Sequence, residues 1–214
     1  MIQTLTKKKL EIILSRLKGL PNPKVELEQY EIPGELAAQI LNIAYLSEDL
    51  KNKIVVDFGC GSGKLTIGSA LMGAKKVIGI DKDEDVLKIV EDNINFAEDL
   101  TKQKIHDRIK IICEDVSIFE KEVDTVIQNP PFGIQSLHAD RLFIKKALKC
   151  GKRIYSLHRH YEKSRDFLSR LIEQNNGKVE KIIKFKYRIP YMFKFHKKPY
   201  VIYDVDLFII SRLR

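Results

Sequence analysis

The chain has 214 residues, of which 44% are hydrophobic and 31% are charged, a balance typical of a folded domain and not of a disordered chain. It contains no apolar run of about 18 residues, which excludes a membrane-spanning helix. The formal net charge of +9 favours a polyanionic partner such as nucleic acid, although heat-adapted proteins carry similar Lys- and Glu-rich surfaces.

The first predicted elements are two helices, Lys8–Leu17 and Glu35–Leu46, which have apolar residues at helical spacing. From Ile54 onward, short apolar strands alternate with amphipathic helices, which predicts an α/β fold with a doubly wound sheet and helices on both faces. The predicted strands are Ile54–Phe58, Val77–Ile80, Ile109–Cys113, Asp124–Ile127, Arg153–Leu157, Lys178–Ile189 and Val201–Ile210. One predicted helix follows the first strand and ends near Met72. The other predicted helices include Glu84–Phe96, Leu142–Leu148 and Phe167–Ile172.

Unusual residues follow four of these strands. They are the glycine cluster Gly59–Gly63, Asp81, Asp115 and Asn129. In doubly wound sheets the ligand binds outside the carboxyl ends of the strands. We therefore expect these residues to form one binding site at that edge of the sheet.

The glycine cluster Gly59-Cys60-Gly61-Ser62-Gly63 lies between a predicted strand and a helix. Glycines at this position permit a tight turn and close approach of a ligand to the backbone. The dinucleotide fingerprint requires a sixth-position glycine, but Lys64 stands there, so the pattern fits a nicotinamide enzyme poorly. The alternative is a plain strand-to-helix turn.

Asp81 ends the second strand, where a carboxylate can accept hydrogen bonds from the ribose hydroxyls of an adenosine. The alternative role, capping the following helix, fits Asp83 better. Asp115 ends the third strand and can accept the exocyclic amine of the adenine, beside a backbone N–H and an apolar wall from Val116. A turn aspartate is the alternative interpretation of Asp115.

The segment Asn129-Pro130-Pro131-Phe132 predicts the reaction. Two prolines stiffen the turn and leave its carbonyls free. The lone pair of an aromatic amine such as adenine N6 is delocalised, so acceptors aimed at its N–H bonds favour attack more than a base would. We assign those acceptors to the Asn129 side chain and the Pro130 carbonyl, and stacking on the base to Phe132. A rigid proline turn with a core Phe is the alternative.

The region Lys178–Lys198 interleaves basic and aromatic residues. RNA contact and an ordinary strand with a solvated face both explain this pattern. The loop Ile189–Pro199 is the better candidate for RNA contact because loops carry binding residues over a rigid sheet. Its predicted RNA-binding residues are Lys194, His196, Lys197 and Lys198.

We predict no metal site in this chain. The three cysteines form no CxxC pair, and no third ligand accompanies His158 and His160. An odd cysteine count without a recognisable signal peptide indicates a reducing compartment, and we expect the cytoplasm. We also expect a single domain over residues 1–214, with a helical segment at 1–50 and a catalytic core at 51–214.

Together these motifs resemble the seven-stranded, Rossmann-like class I methyltransferases. Within that class they resemble the NPPF family of archaea and eukaryotes that forms N6-methyladenosine in small-subunit ribosomal RNA. The likeness runs in order from about Leu27 to Ile210. It rests on Leu27–Tyr30, Asp57–Gly63, Asp81–Asp85, Asp124–Gly133, Tyr155–His158 and Lys194–Lys198.

This resemblance implies S-adenosyl-L-methionine as the cofactor and an RNA adenine as the substrate. It implies that Gln29 contacts the cofactor from the N-terminal segment. The turn residues Gly59, Cys60, Gly61 and Ser62 would line the methionine part, with Asp81 at the ribose and Asp115 and Val116 at the adenine. Ile32 replaces the family's usual threonine, so a hydroxyl contact to the cofactor is absent or replaced.

The resemblance also implies a partner, because the eukaryotic relatives work with a small zinc-binding activator subunit. Two other enzymes remain as alternatives, a guanine-N2 RNA methyltransferase and a protein glutamine-N5 methyltransferase, since both use a similar turn. The glutamine group typically has Tyr at the position of Phe132. A non-catalytic RNA-binding module is a further alternative, against which the intact glycine cluster and proline turn argue.

Overall fold

A computed structural model describes residues 5–24, 27–132, 139–190 and 200–213. The helices in this part of the chain are α1 (Lys7–Arg16), α2 (Gly34–Leu46), α3 (Lys64–Leu71), α4 (Asp85–Thr101), α5 (Ala139–Cys150) and α6 (Glu162–Gln174). The strands are β1 (Ile54–Phe58), β2 (Lys76–Asp81), β3 (Ile109–Cys113), β4 (Val123–Gln128), β5 (Gly151–Arg159), β6 (Gly177–Pro190) and β7 (Tyr200–Arg212).

The seven strands form one sheet in the order β3-β2-β1-β4-β5-β7-β6. β1 to β5 are parallel, and β7 runs antiparallel between β5 and β6. One apolar cluster joins α1 to α4 with the sheet, and a second joins α5 and α6 with it. This arrangement confirms the predicted seven-stranded α/β sheet with its helices.

The N-terminal helices pack closely on each other. Thr6 caps α1 by accepting a hydrogen bond from the Lys9 backbone N–H at 3.3 Å. α1 buries Leu10 and Leu14 completely. At Gly34, the first residue of α2, a Cβ would lie 2.4 Å from the Ser15 backbone nitrogen, so only glycine permits this approach of the two helices.

The register brings the strand ends together. Phe58 at the end of β1 pairs with Ile80 on one side and with Gln128 on the other, and Asp81 pairs with Cys113. The residues that follow β1, β2, β3 and β4 therefore meet at one edge of the sheet, as the strand-end pattern predicted.

The predicted elements all have counterparts in the structure, with differences at their ends. β1 and β3 have the predicted bounds, whereas α4 continues to Thr101 instead of ending near Phe96. Two 3₁₀ turns, His106–Arg108 and Val116–Ile118, were not predicted because three residues are too short to show a periodic pattern. In the described part of the chain, no helix has the length and hydropathy needed to cross a membrane.

Candidate active site

A cavity of about 610 Å³ lies at the carboxyl edge of the sheet, under the segment that precedes α2. Its volume is in the range of small-molecule sites. Ten of the predicted site residues line it: Gln29, Gly59, Cys60, Gly61, Ser62, Asp81, Asp115, Val116, Asn129 and Pro131.

The glycine turn forms one wall of the cavity. Gly59, Gly61 and Gly63 have φ values of 71°, 50° and 84°, a region that favours glycine. A Cβ placed on Gly61 would meet nothing within 4 Å, so the backbone there faces open space that a ligand can approach. The backbone N–H groups of Gly59 and Cys60 both donate to the Ile80 carbonyl, which ties the turn to β2.

Asp81 connects the turn to the start of α4. One of its carboxylate oxygens accepts from the Gly61 N–H at 2.9 Å, and the other accepts from the Asp83 N–H at 3.1 Å. Burial raises the pKa of Asp81, and these backbone donors oppose the rise. Asp83 accepts from the Asp85 N–H at the start of α4, so the capping role belongs to Asp83, as predicted.

The N-terminal segment is held over the cavity by three polar contacts that the sequence did not reveal. The Gln29 amide donates to Asp83 at 2.7 Å, and Lys24 reaches the same carboxylate at 2.5 Å. The Lys64 ammonium, at the start of α3, pairs with Glu31 at 2.9 Å in a largely buried contact. Gln29 thus lines the cavity while its amide is bonded within the protein. A cofactor contact from this side chain stays a prediction.

Asp115 and Val116 form the wall of the cavity beyond β3. One Asp115 oxygen accepts from the Ser117 N–H at 2.8 Å and caps the 3₁₀ turn. The hydrogen bond to Ser117 lowers the pKa of Asp115, which keeps its carboxylate charged. The side chain therefore acts as a turn aspartate and also lines the cavity, and Val116 adds an apolar surface.

Asp57, at the fourth position of β1, is a cavity residue that the sequence analysis did not assign. It is 1% exposed, and its Oδ2 accepts from the Thr66 hydroxyl at 2.7 Å. Its Oδ1 is buried and has no hydrogen-bond partner in the described part of the chain. Burial raises the pKa of Asp57 to about 7. A ligand that brings an ammonium or N–H donor to this oxygen would therefore bind favourably.

The Asn129 side chain has a fixed orientation. Its Nδ2 donates to the Tyr30 carbonyl at 3.2 Å, and the Tyr187 hydroxyl donates to the same carbonyl at 2.9 Å. The Asn129 Oδ1 is buried and has no hydrogen-bond partner among the described residues. Since Asn129 lines the cavity, the arrangement leaves an unused acceptor at the site of the predicted chemistry.

The rest of the proline turn differs in exposure. Pro130 is buried, while Pro131 is half-buried and lines the cavity. Phe132 is half-buried, with its ring centroid 6.2 Å from that of Tyr30 at an interplanar angle of 15° and 6.0 Å from that of Tyr187. The two tyrosines therefore hold the Phe132 ring, and stacking of this ring on a base stays a prediction.

Tyr187 resolves part of the ambiguity in the basic and aromatic region. It is fully buried, while Lys184 and Lys186 beside it are exposed. For this stretch of β6, the interpretation as a strand with a solvated face is confirmed. The predicted RNA contacts Lys194, His196, Lys197 and Lys198 lie outside the described residues.

Removing the Tyr187 hydroxyl is expected to reduce turnover more than stability. In Tyr187→Phe, the Tyr30 carbonyl loses one of its two donors, and the Asn129 amide it orients gains freedom. We expect kcat for the methyl transfer that the resemblance implies to fall about tenfold, the upper range for one neutral hydrogen bond. Tyr155→Phe is the matched control, because that buried hydroxyl donates to Asp49 and should affect stability only. Equal kcat values for both variants would contradict the role of Tyr187.

A buried polar chain lies behind the proline turn. Gln128 donates to the Ser156 hydroxyl at 2.8 Å, and that hydroxyl contacts His158 Nε2 at 2.7 Å. Burial lowers the pKa of His158 to about 3, so the ring is neutral and accepts from Ser156. His160 instead contacts Asp206 at 2.8 Å. The described residues contain no cluster of three or more potential metal ligands.

His158 is expected to make the fold acid-sensitive. In the unfolded chain its pKa returns to about 6.5. Between about pH 6.5 and the folded pKa near 3, the unfolded chain binds a proton that the folded chain does not. The free energy of unfolding therefore falls as pH falls through this range. His158→Gln should remove about 3 kcal/mol of the stability difference between pH 7 and pH 4. Denaturant unfolding at both pH values measures this, with exposed His106→Gln as the control. A slope unchanged from wild type in His158→Gln would contradict it.

Comparison with known proteins adds to this geometry. The family model described as ribosomal protein L11 methyltransferase (PrmA) matches residues 36–130. The chain is 42% identical to an uncharacterized protein of Methanocaldococcus jannaschii, over 97% of this chain and 94% of that one. It is 36% identical to the Danio rerio protein named rRNA N(6)-adenosine-methyltransferase METTL5, over 93% of this chain and 95% of that one.

Solved structures agree with the sequence relatives. A crystallised Pyrococcus horikoshii protein, proposed to be an RNA methyltransferase, superposes with a TM-score of 0.88 at 37% identity. The match covers 99% of this chain and 100% of that one. The similarity therefore extends over the sheet, the N-terminal helices and the cavity between them.

Proposed function

This chain belongs to the family of the rRNA N(6)-adenosine-methyltransferases, and we propose that it methylates N6 of an adenine in small-subunit ribosomal RNA, with S-adenosyl-L-methionine as the methyl donor. The observation that carries the proposal is the Asn129 Oδ1, a buried acceptor at the carboxyl edge of the sheet for which the described residues offer no partner. An amine hydrogen is the group that this acceptor lacks.

The cavity residues fit S-adenosyl-L-methionine. The open space over Gly61 admits a ligand against the backbone. The Asp57 Oδ1, which has no partner in the part of the chain that the structure describes, is suited to the charged amino group of the methionine part. Asp81 presents carboxylate oxygens to the ribose, and Asp115 and Val116 present a carboxylate and an apolar wall to the adenine. When bound, this cofactor supplies an electrophilic methyl group on a sulfonium.

The residues of the proline turn then position the target nitrogen. The Asn129 Oδ1 accepts one N–H of the amine, and the Pro130 carbonyl accepts the other. Because both N–H bonds are held, the nitrogen lone pair is drawn out of conjugation and directed at the methyl group. No side chain would have to remove the proton before transfer. As the new C–N bond formed, the bond from sulfur to the methyl group would break and leave a neutral thioether, and the methylated amine would then lose its proton to water. Phe132 holds the plane of the base.

RNA is the substrate that the charge and the family support together. The net charge of +9 favours phosphate contacts, and the Danio rerio relative acts on rRNA by its name. A guanine-N2 or a protein glutamine-N5 product would use the same acceptors. Phe132, where the glutamine enzymes typically have Tyr, favours the nucleic acid.

The test is to incubate the chain with isotopically labelled cofactor and small-subunit rRNA, and to identify the modified nucleoside by mass. We expect label in N6-methyladenosine. Label in a methylguanosine would replace the base assignment, and label that resists ribonuclease but not protease would place the product on protein. Calorimetry with the cofactor distinguishes an enzyme from an RNA-binding module that has lost its activity, because only the enzyme is expected to show saturable heat.

The proposed assembly has one domain, in the cytoplasm, with a small zinc-binding activator subunit. β3 is an edge strand of the described sheet and therefore has backbone groups available for pairing. Beside it lies an apolar hollow of about 190 Å³, lined by Ile78, Ile80 and Ile112, with Ile118 56% exposed. This edge supports a protein partner. The test is co-purification of the partner with this chain. We expect a charged residue in place of Ile118 to abolish co-purification, and we expect zinc in the partner alone.

A further inference from the structure

Arg159 is clamped between two tyrosine rings at the end of β5. Its guanidinium carbon lies 4.8 Å from the ring centroid of Tyr161 and 4.5 Å from that of Tyr203. Both distances are within the range of cation–π interactions, and two ring contacts limit the positions of the guanidinium more than one would. We call Arg159, Tyr161 and Tyr203 the arginine clamp.

The N–H donors of the Arg159 guanidinium form no ion pair with the described residues. Arg153, Arg165 and Arg212 each form an ion pair with an Asp or Glu. Arg159 forms none with any residue that the structure describes. A planar guanidinium carries five N–H donors that match the geometry of a phosphate. Arg159 is therefore held by two aromatic rings while no carboxylate of the described residues takes up its N–H donors, which makes it a candidate anion-binding group.

β5, which ends at the clamp, runs beside the strand that leads into the proline turn. Ser156 of β5 pairs with Gln128 of β4, so the last residues of β5 pass the turn that begins at Asn129. Burial raises the pKa of the Tyr30 hydroxyl, and the charge of Arg159 opposes that rise, so the two side chains interact electrostatically. Because the Tyr30 carbonyl also orients the Asn129 amide, Tyr30 connects the clamp with the residue proposed to hold the target amine.

Resting on the proposed function, we infer that Arg159 binds a backbone phosphate of the RNA strand next to the target adenine, and that Tyr161 stacks on a neighbouring unpaired base. An adenine that enters the cavity must leave its stack, which leaves adjacent phosphates and bases at the mouth. Tyr161 is 51% exposed while Arg159 covers part of it, so ring surface remains for a base. Tyr203 is half-buried and supports Arg159 from the core.

The experiment compares the binding of an in vitro small-subunit rRNA transcript by wild type and Arg159→Ala at several salt concentrations. We expect about tenfold weaker binding at low salt. We also expect the slope of log affinity against log salt to become shallower by about 0.7, the amount for one lost phosphate contact on a single strand. Tyr161→Ala should weaken binding about tenfold with the wild-type slope, and Tyr161→Phe should bind like wild type.

Arg170→Ala is the matched control, because Arg170 is exposed on α6 nine positions beyond Tyr161 and should leave affinity and slope unchanged. Wild-type affinity in Arg159→Ala overturns the inference, as does weaker binding with an unchanged salt slope, which would indicate lost packing. Methylation measured in parallel separates the two proposals. If wild type binds the transcript without methylating it, the proposed function fails, and the clamp is judged by the binding data alone.

Discussion

Asn129→Ala is expected to reduce kcat for methyl transfer by about 100- to 1000-fold, the cost of removing one preorganised acceptor or donor at a reacting group. The substitution removes Oδ1, the buried acceptor that no described residue uses. It also frees the Tyr30 carbonyl from one of its donors, but Tyr187 still donates to that carbonyl. The fold around the turn should therefore persist.

Cofactor affinity distinguishes this role from a general loss of structure. Calorimetry should give a Kd for S-adenosyl-L-methionine within about twofold of wild type, because the proposed cofactor contacts come from Asp57 in β1 and from the turns after β1, β2 and β3. Asn129→Asp keeps an acceptor but replaces the Nδ2 donor with an oxygen that faces the Tyr30 carbonyl, so it should also lose most activity. Transfer at the wild-type rate in Asn129→Ala would refute the proposed chemistry.

Asp81→Asn is expected to raise the Kd for S-adenosyl-L-methionine by about tenfold or more. The side chain keeps its volume and one oxygen for the Gly61 N–H, but the charge and one acceptor for the ribose are lost. A hydrogen bond to a charged group contributes about 1.5–3 kcal/mol, which corresponds to roughly 10- to 150-fold in affinity. At saturating cofactor, kcat should approach the wild-type value, because Asp81 does not contact the reacting atoms.

The pH dependence and a control variant test the same contact. Burial raises the pKa of Asp81, so acidification protonates the carboxyl and cofactor binding should weaken as pH falls through that pKa. Asp81→Asn should show a flatter pH profile of binding. Asp85→Asn is the control, since Asp85 is 61% exposed at the start of α4 and pairs with Lys24. A tenfold loss in both variants would assign the effect to helix α4 and not to the ribose.

The sequence was sufficient for features that depend on neighbouring residues. Glycines with positive φ between β1 and α3 follow from the local need for a tight turn, and two successive prolines stiffen the chain wherever they occur. The alternation of apolar strands and helices predicted the sheet, and the position of Asp81 and Asp115 after strands predicted that they line one cavity. Each of these signals depends on residues that lie within a few positions of each other in the chain.

Other features depended on residues far apart in the chain. Tyr187 comes from β6, yet its hydroxyl and the Asn129 amide share the Tyr30 carbonyl. Gln29, which was predicted to contact the cofactor, has its amide on Asp83, and the Arg159 clamp joins the ends of β5 and β7. Local sequence patterns carry no information on which distant side chains meet, because strand order and register decide that. Only the assembled sheet therefore showed how Asn129 is oriented and that Arg159 lies against two tyrosine rings.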